Sequence, residues 1–287
     1  MLAIYKRELK AYFNSMIGYI FIGFFVLITG VYFSVFNLFS LSPDFRLSLG
    51  NVVALFLILV PALTMRLLAE ESRQKTDQLL LTAPVKVSDI VLGKYLAAIT
   101  VFLIALLFTV IFPFMIAPYG NVSFIETLGT YIGFFFMGSS FIAIGLWISA
   151  MTDNQIVAAI GSFSVLFLLL MIDYIAIGLP SSSSFSVSFI AMLAALFVFY
   201  IFESTRNVKL SVFLGILAGF AIVYTFIMYT NVYTGLPGKI LAALAIIVRY
   251  ENFSLGILDV GALIYFLSFS AAFLYLTIGV VSKRRWS

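Results

Sequence analysis

Polar residues in this chain come in short blocks, and the apolar runs between them set its architecture. Eight runs approach the ~20 residues that an α-helix needs to cross a hydrocarbon core. They fall at about Met16–Phe36, Asn51–Leu68, Val91–Ile116, Thr127–Met151, Ile156–Ile177, Val187–Phe202, Leu210–Tyr229 and Val260–Val281. Pro61 lies inside the second run and predicts a kink there. Asn37–Gly50, which carries Pro43, Asp44 and Arg46, reads as a short loop, as do Pro118–Glu126 and Pro180–Ser184. Thr152–Gln155 predicts a tight turn in which Asp153 caps the next helix. Residues 231–258 predict a loop with one short interfacial helix, because Ile240–Val248 is apolar but too short to span.

The one long polar passage runs from Glu70 to Lys94, EESRQKTDQLLLTAPVKVSDIVLGK. Leu79, Leu80 and Leu81 form an apolar patch bracketed by charge. Pro84 stops any helix begun near Arg73, since proline supplies no backbone N–H and biases its predecessor away from helix. The pattern predicts a short amphipathic helix over Arg73–Leu81, a turn at Ala83–Pro84, and a new helix capped by Ser88 with Asp89 in its first turn. Such a helix suits contact with a soluble partner; an ordinary loop, or a helix lying on the lipid surface, has the same composition. At the start, Leu2, Tyr5, Leu9 and Tyr12 recur at helical spacing beside Lys6, Arg7 and Lys10. That predicts a basic amphipathic helix over residues 1–14 lying along a membrane surface. The run that begins at Met16 is too long for a signal peptide's apolar core and reads as a retained anchor.

Charge then orients the spans. Eight spans put both ends on one side, and 13 of the 16 basic residues fall on that side. They are Lys6, Arg7, Lys10, Arg66, Arg73, Lys75, Lys86, Lys94, Arg206, Lys209, Lys283, Arg284 and Arg285. Arg46, Lys239 and Arg249 fall on the other. The positive-inside rule makes both termini cytoplasmic, with Arg66 snorkelling at the inner end of its span.

Composition narrows the chemistry. Hydrophobic residues are 63% of the 287 and charged residues 10%, against about 45–50% and 25% in a soluble domain. Cysteine and histidine are absent, which removes disulfides, thiolate metal sites and the commonest general base. No G-x-x-x-x-G-K-[ST] loop occurs, so nucleotide energy would have to come from another chain. No paired carboxylates or nucleophile motif appear, and nothing points to nucleic acid. Asp173 is the one carboxylate inside an apolar run. It lies near the outer end of its span, where burial costs little, so it reads as structural. Gly129–Gly133 and Gly215–Gly219 are GxxxG patterns that permit close helix packing. Asn121 and Asn252 head glycosylation sequons, which chance also supplies.

The stretch Ala69–Ala97 resembles the ABC-2 type permeases, in particular the gliding-motility-type branch. The matching residues are Glu70, Glu71, Arg73, Thr76, Leu79, Leu80, Leu81, Thr82, Pro84, Val85, Gly93 and Lys94. The basic start and the ending from Asn252 are similar to the same branch. Lys75 stands where that pattern usually has glycine and Gln78 where it has an acid. The family core has six helices, so Val187–Tyr229 looks like an added hairpin within a single transmembrane domain.

The resemblance implies an all-α polytopic membrane protein that serves as the permease subunit of an ABC transporter, mostly exporters, in the plasma membrane. It implies a second permease chain, identical or homologous, and separate ABC ATPase subunits that carry the ATP and Mg; this chain would need no cofactor and would not be an enzyme. Residues 1–14 would be the interfacial helix and residues 70–90 the coupling region. Glu70, Glu71, Arg73, Thr76, Gln78, Leu79, Leu80, Leu81, Thr82 and Pro84 would meet the ATPase. Two other classes stay open. A secondary transporter would need coupling groups at mid-membrane, and a membrane scaffold of an envelope complex would need none.

Overall fold

Ser15 separates the first two helices. In a computed structural model, which describes residues 1–76 and 85–286, its backbone is extended between α1 (Leu2–Asn14) and α2 (Met16–Phe33). The turn is tight because residue 18 is glycine: a Cβ there would sit 2.8 Å from the Tyr12 carbonyl oxygen. Beyond α2 the helix widens into a π segment, Ser34–Phe39. Buried Asn37 closes it by donating to the Ser42 carbonyl and accepting from Ser48 Oγ at 2.6 Å.

The second span begins earlier than the sequence suggests. Asp44 accepts from the Arg46 backbone N–H and caps α3 (Phe45–Asn51), so the polar residue Arg46 becomes helical rather than loop. A 3-10 turn, Val52–Leu55, leads into α4 (Phe56–Thr64), which contains Pro61. Residues 65–68 form a turn, and α5 (Ala69–Arg73) follows. The later helices are α6 (Val87–Thr109), α7 (Ile111–Ile116), α8 (Phe124–Met151), α9 (Gln155–Gly178), α10 (Ser183–Thr205), α11 (Val208–Met228), α12 (Thr230–Tyr233), α13 (Leu236–Leu244), α14 (Ile246–Ser254) and α15 (Val260–Trp286).

The described residues contain no strand. They form 8 helical stretches long and apolar enough to cross a membrane: Met16–Phe39, Phe45–Arg73, Val87–Ile116, Phe124–Met151, Gln155–Gly178, Ser183–Glu203, Val208–Met228 and Val260–Arg284. This is an all-α polytopic membrane protein, as its apolar runs predict. Three local expectations change. The helix after Lys86 starts at Val87, which puts Ser88 in the first turn rather than at the cap. Asn154, not Asp153, caps α9 by accepting from the Ile156 N–H at 2.9 Å. Residues 231–258 hold three short helices in place of one, since Ala245 at ψ 108 breaks Ile240–Val248 in two.

The chain divides into two compact units, Met1–Leu168 with Ile246–Ser287, and Leu169–Ala245. The first is built on phenylalanine. Phe25, Phe56, Phe102, Phe134 and Phe141 come from four helices, with neighbouring ring centroids 4.9–6.2 Å apart. Helix α8 lies at the centre, and its glycines admit its neighbours. A Cβ at Gly133 would meet Phe253 Cγ at 2.3 Å, at Gly138 Phe102 Cε1 at 2.5 Å, and at Gly145 Thr64 Oγ1 at 2.3 Å. Helix α15 runs along α8, with Ser140 Oγ 3.1 Å from Ser270 Oγ and the Trp147 ring edge-on to Phe273. At one end Arg46 pairs with Asp44 and Glu126 and donates to the Leu255 carbonyl. Gly256, at φ 82, leaves room for that clasp.

The second unit holds α10 and α11 side by side. Ser182 caps α10 and Asn207 caps α11. Arg206, left-handed at φ 52, ends α10 so that the chain reverses within two residues. Asp173, on α9, is half-buried and makes no hydrogen bond or ion pair among the described residues.

Overpacking a close contact costs about 1–3 kcal/mol. Gly133→Ala and Gly145→Ala are therefore expected to lower the thermal unfolding midpoint of the detergent-purified protein. Gly23→Ala, which meets nothing within 4 Å, is expected to leave it unchanged.

Candidate functional site

Gly93 is the position from which the site is built. A Cβ there would lie 3.0 Å from Ile4 Cγ2 and 3.3 Å from the Tyr5 backbone nitrogen. Glycine thus lets α1 lie directly on α6. The same register brings Tyr5 Oη to 3.1 Å from Thr100 Oγ1 and Glu8 to Lys94. Lys94 is 1% exposed. Its ammonium lies 3.2 Å from Glu8 Oε1 and 2.9 Å from Glu71 Oε2. Arg7 pairs with Glu8 and reaches Glu71 Oε1 at 2.6 Å. Two cations and two carboxylates form a closed, neutral ring across α1, α5 and α6. Partial burial alone would lower the Arg7 pKa, but Glu8 and Glu71 outweigh it and leave it above its ordinary value.

Helix α5 is tied to several other parts of the chain. Its first N–H groups have no partner within so short a helix. Buried Ser149 of α8 accepts from the Leu68 and Ala69 N–H groups at 3.2 and 3.1 Å and donates to the Met65 carbonyl. Tyr12 donates to the Leu63 carbonyl at 2.7 Å, and burial pushes its hydroxyl pKa up, so it remains a donor. The three residues that follow Ala69 each grip a different element. Glu70 pairs with Arg66 at 2.5 Å and accepts from Gln74. Glu71 closes the ring around Lys94. Ser72 donates to Asp153 in the α8–α9 turn and accepts from Arg284 on α15.

Where α5 ends, the start of the helix expected over Arg73–Leu81 is corrected; its residues 77–81 lie outside the described residues. A helix does not begin at Arg73; one stops there. The Thr76 N–H donates to the Glu71 carbonyl at 3.0 Å and the Lys75 N–H to the Ser72 carbonyl at 3.1 Å. With Lys75 at φ 56, this is a Schellman motif, and its left-handed position favours glycine. That gives the physical reason for glycine at this place in the pattern from which Lys75 departs. Arg73 and Thr76 are exposed, and Arg73 borders an open cleft with Thr152, Asp153 and Asn154. Gln78, Leu79, Leu80, Leu81, Thr82 and Pro84 lie outside the described residues, as does the expected turn at Ala83–Pro84.

A cavity of about 310 Å³ opens beside the ring, lined by Arg7, Glu8, Tyr12, Arg66, Glu71 and Lys94 among others. Its charged lining residues are paired with one another. Among the described residues no three acidic side chains cluster to hold a metal ion. The arrangement joins α5, which precedes residues 77–84 in sequence, to α1, α6, α8 and α15. The model of the ABC-2 family transporter proteins matches residues 59–283. The chain belongs to this family. It is a transmembrane permease of the ABC transporter type and a multi-pass membrane protein. The comparison with curated proteins gives no match.

Of the sequence-predicted residues, the permease brings Glu70, Glu71 and Arg73 onto one short helix and leaves Thr76 in its terminal motif. Sequence reasoning missed Glu8, Ser149, Asp153 as a partner of α5, and the pairing of Lys94. Two signals were available. Glu8 is the one acid in the basic segment of residues 1–14, and Lys94 is a cation with apolar residues on both sides, in VLGKYLAAI.

Removing one partner from a buried ion pair costs about 3–5 kcal/mol, because the rest is left uncompensated. Lys94→Met is expected to destabilise the permease on that scale in a thermal-shift assay. The triple variant Glu8→Gln/Lys94→Met/Glu71→Gln, which removes the buried charges together, is expected to recover most of the loss.

Proposed function

We propose that this chain is the permease subunit of an ABC exporter of the gliding-motility type, driven by a separate ATPase that docks on residues 70–84. One observation carries the reading: α5, at the start of the polar passage, is tied by three successive residues to the 65–68 turn, α1, α6, the α8–α9 turn and α15. A segment that receives a push must be joined to what it moves, and such joints shift as units rather than deform continuously. The leucines at 79–81 supply the apolar surface for the contact, and Pro84 stiffens the connection to α6. ATP and Mg belong to the ATPase, and a second permease chain completes the path through the membrane. The basic-residue distribution supports a plasma-membrane protein with both termini in the cytoplasm. The ties of Arg7 and Arg284 to α5 support the same arrangement, since they bring both ends of the chain to one end of the first unit.

Burying one leucine contributes roughly 1.5–3 kcal/mol. Leu80→Asp is expected to abolish co-purification of the ATPase while membrane insertion stays intact. Retention of the ATPase at full yield would rule out docking through the leucine patch, and absence of any ATPase from the unsubstituted complex would favour a secondary transporter or a scaffold.

Topology is testable with thiol reagents because the chain contains no cysteine. A membrane-impermeant maleimide added to intact cells is expected to label Ser181→Cys and to leave Asn207→Cys unlabelled. The opposite pattern would reverse the orientation of α10 and α11.

A further inference from the structure

The third tie on α5 has a different character from the other two. Ser72 Oγ donates to Asp153 Oδ1 at 2.5 Å and accepts from Arg284 Nη1 at 2.5 Å. Arg284 Nη2 lies 3.1 Å from the same Asp153 oxygen. Three groups thus close a triangle that joins α5, the α8–α9 turn and the last turn of α15. Arg284 is well placed electrostatically, as a cation at a helix C-terminus. Unlike Lys94, the pair is open to solvent: the Asp153 side chain is 68% exposed and that of Arg284 27%. An exposed ion pair contributes little to stability and breaks readily. It is therefore suited to a contact made and released during a working cycle.

We propose that Arg284 and Asp153 are positioning residues of the permease, forming a releasable latch that holds α5, where the proposed docking segment begins, against α15. The claim about docking rests on the function proposed above; the latch itself does not. The geometry explains why the latch matters. Successive helical residues point about 100° apart, so Glu70, Glu71 and Ser72 face three directions. The first two ties lead to Arg66 on the preceding span and to α1 and α6. The third leads to α15, which is already bound to α8 through Ser140, Phe266 and Ser270. With the latch closed, a displacement of α5 is passed to the α8–α15 pair. With it open, α5 stays tied to α8 only at its start, through Ser149, and its far end is released from α15.

The test uses the full permease reconstituted in lipid nanodiscs. Spin labels are attached at Gln74→Cys, which is exposed, and at Gly279→Cys, where nothing lies within 4 Å. Pulsed electron spin resonance is expected to give one narrow distance distribution in the parent. Arg284→Gln and Asp153→Asn should each broaden it, Arg284→Lys should broaden it less, and Asp153→Arg combined with Arg284→Asp should narrow it again. A distribution unchanged by Arg284→Gln would overturn the latch, as would failure of the charge reversal to restore it when each single change broadens it. In the complex with its ATPase, Arg284→Gln should leave co-purification at parent yield and lower transport per ATP hydrolysed several-fold. An unchanged ratio would overturn the positioning role. A latch that loosens as expected, in a parent permease that retains no ATPase, would overturn the docking reading and leave the tie between α5 and α15 standing.

Discussion

The buried ammonium of Lys94 imposes the constraint that the rest of this end of the molecule satisfies. A charge taken out of water must be paired and hydrogen-bonded, or it drives its surroundings apart. Lys94 lies within the α6 span, so its partners have to come from elsewhere in the chain. Glu8 arrives on α1 and Glu71 on α5. Each carboxylate then needs more than one donor, and Arg7 serves both. The demand of one cation thus recruits the N-terminal helix and the start of the polar passage into a single assembly.

Glycine is what makes that assembly geometrically possible. At Gly93 the backbone of α1 approaches α6 more closely than a side chain would permit. The glycines of α8 do the same for Phe253, Phe102 and Thr64. In lipid, where helices gain no hydrophobic advantage by meeting one another, close packing and interhelical hydrogen bonds carry association. The first unit uses both, with a phenylalanine core between the glycine contacts and serine pairs such as Ser140–Ser270 across α8 and α15.

The interruption of the second span follows from the same logic. Turning the backbone at residues 65–68 frees carbonyls and N–H groups that lipid cannot satisfy. Tyr12 and Ser149 supply their partners from two different helices. A break that would be costly in isolation becomes a fixed joint, and it aims α5 at the polar passage. The permease therefore places a rigid element immediately before the segment proposed to meet the ATPase.

The sequence by itself determined the class, the spans and the polar passage. Each of those depends on local composition: an apolar run of sufficient length forms a helix in a membrane whatever its neighbours are. It also located the glycine–lysine pair at Gly93 and Lys94 and the acidic pair at Glu70 and Glu71, though without their partners. Helix ends were legible only where a local signal prevailed. Asp153 and Asn154 are both competent caps, and the choice of Asn154 follows from the engagement of Asp153 by Ser72 and Arg284. Likewise the helix stop at Arg73 was hidden, because Lys75 occupies a left-handed position where glycine would have marked it. Only the tertiary structure decided that Glu8, Glu71 and Lys94 form one ring and that Arg284 returns to Ser72. Those contacts join residues up to 212 positions apart, and no local pattern records which distant charge a buried one will find.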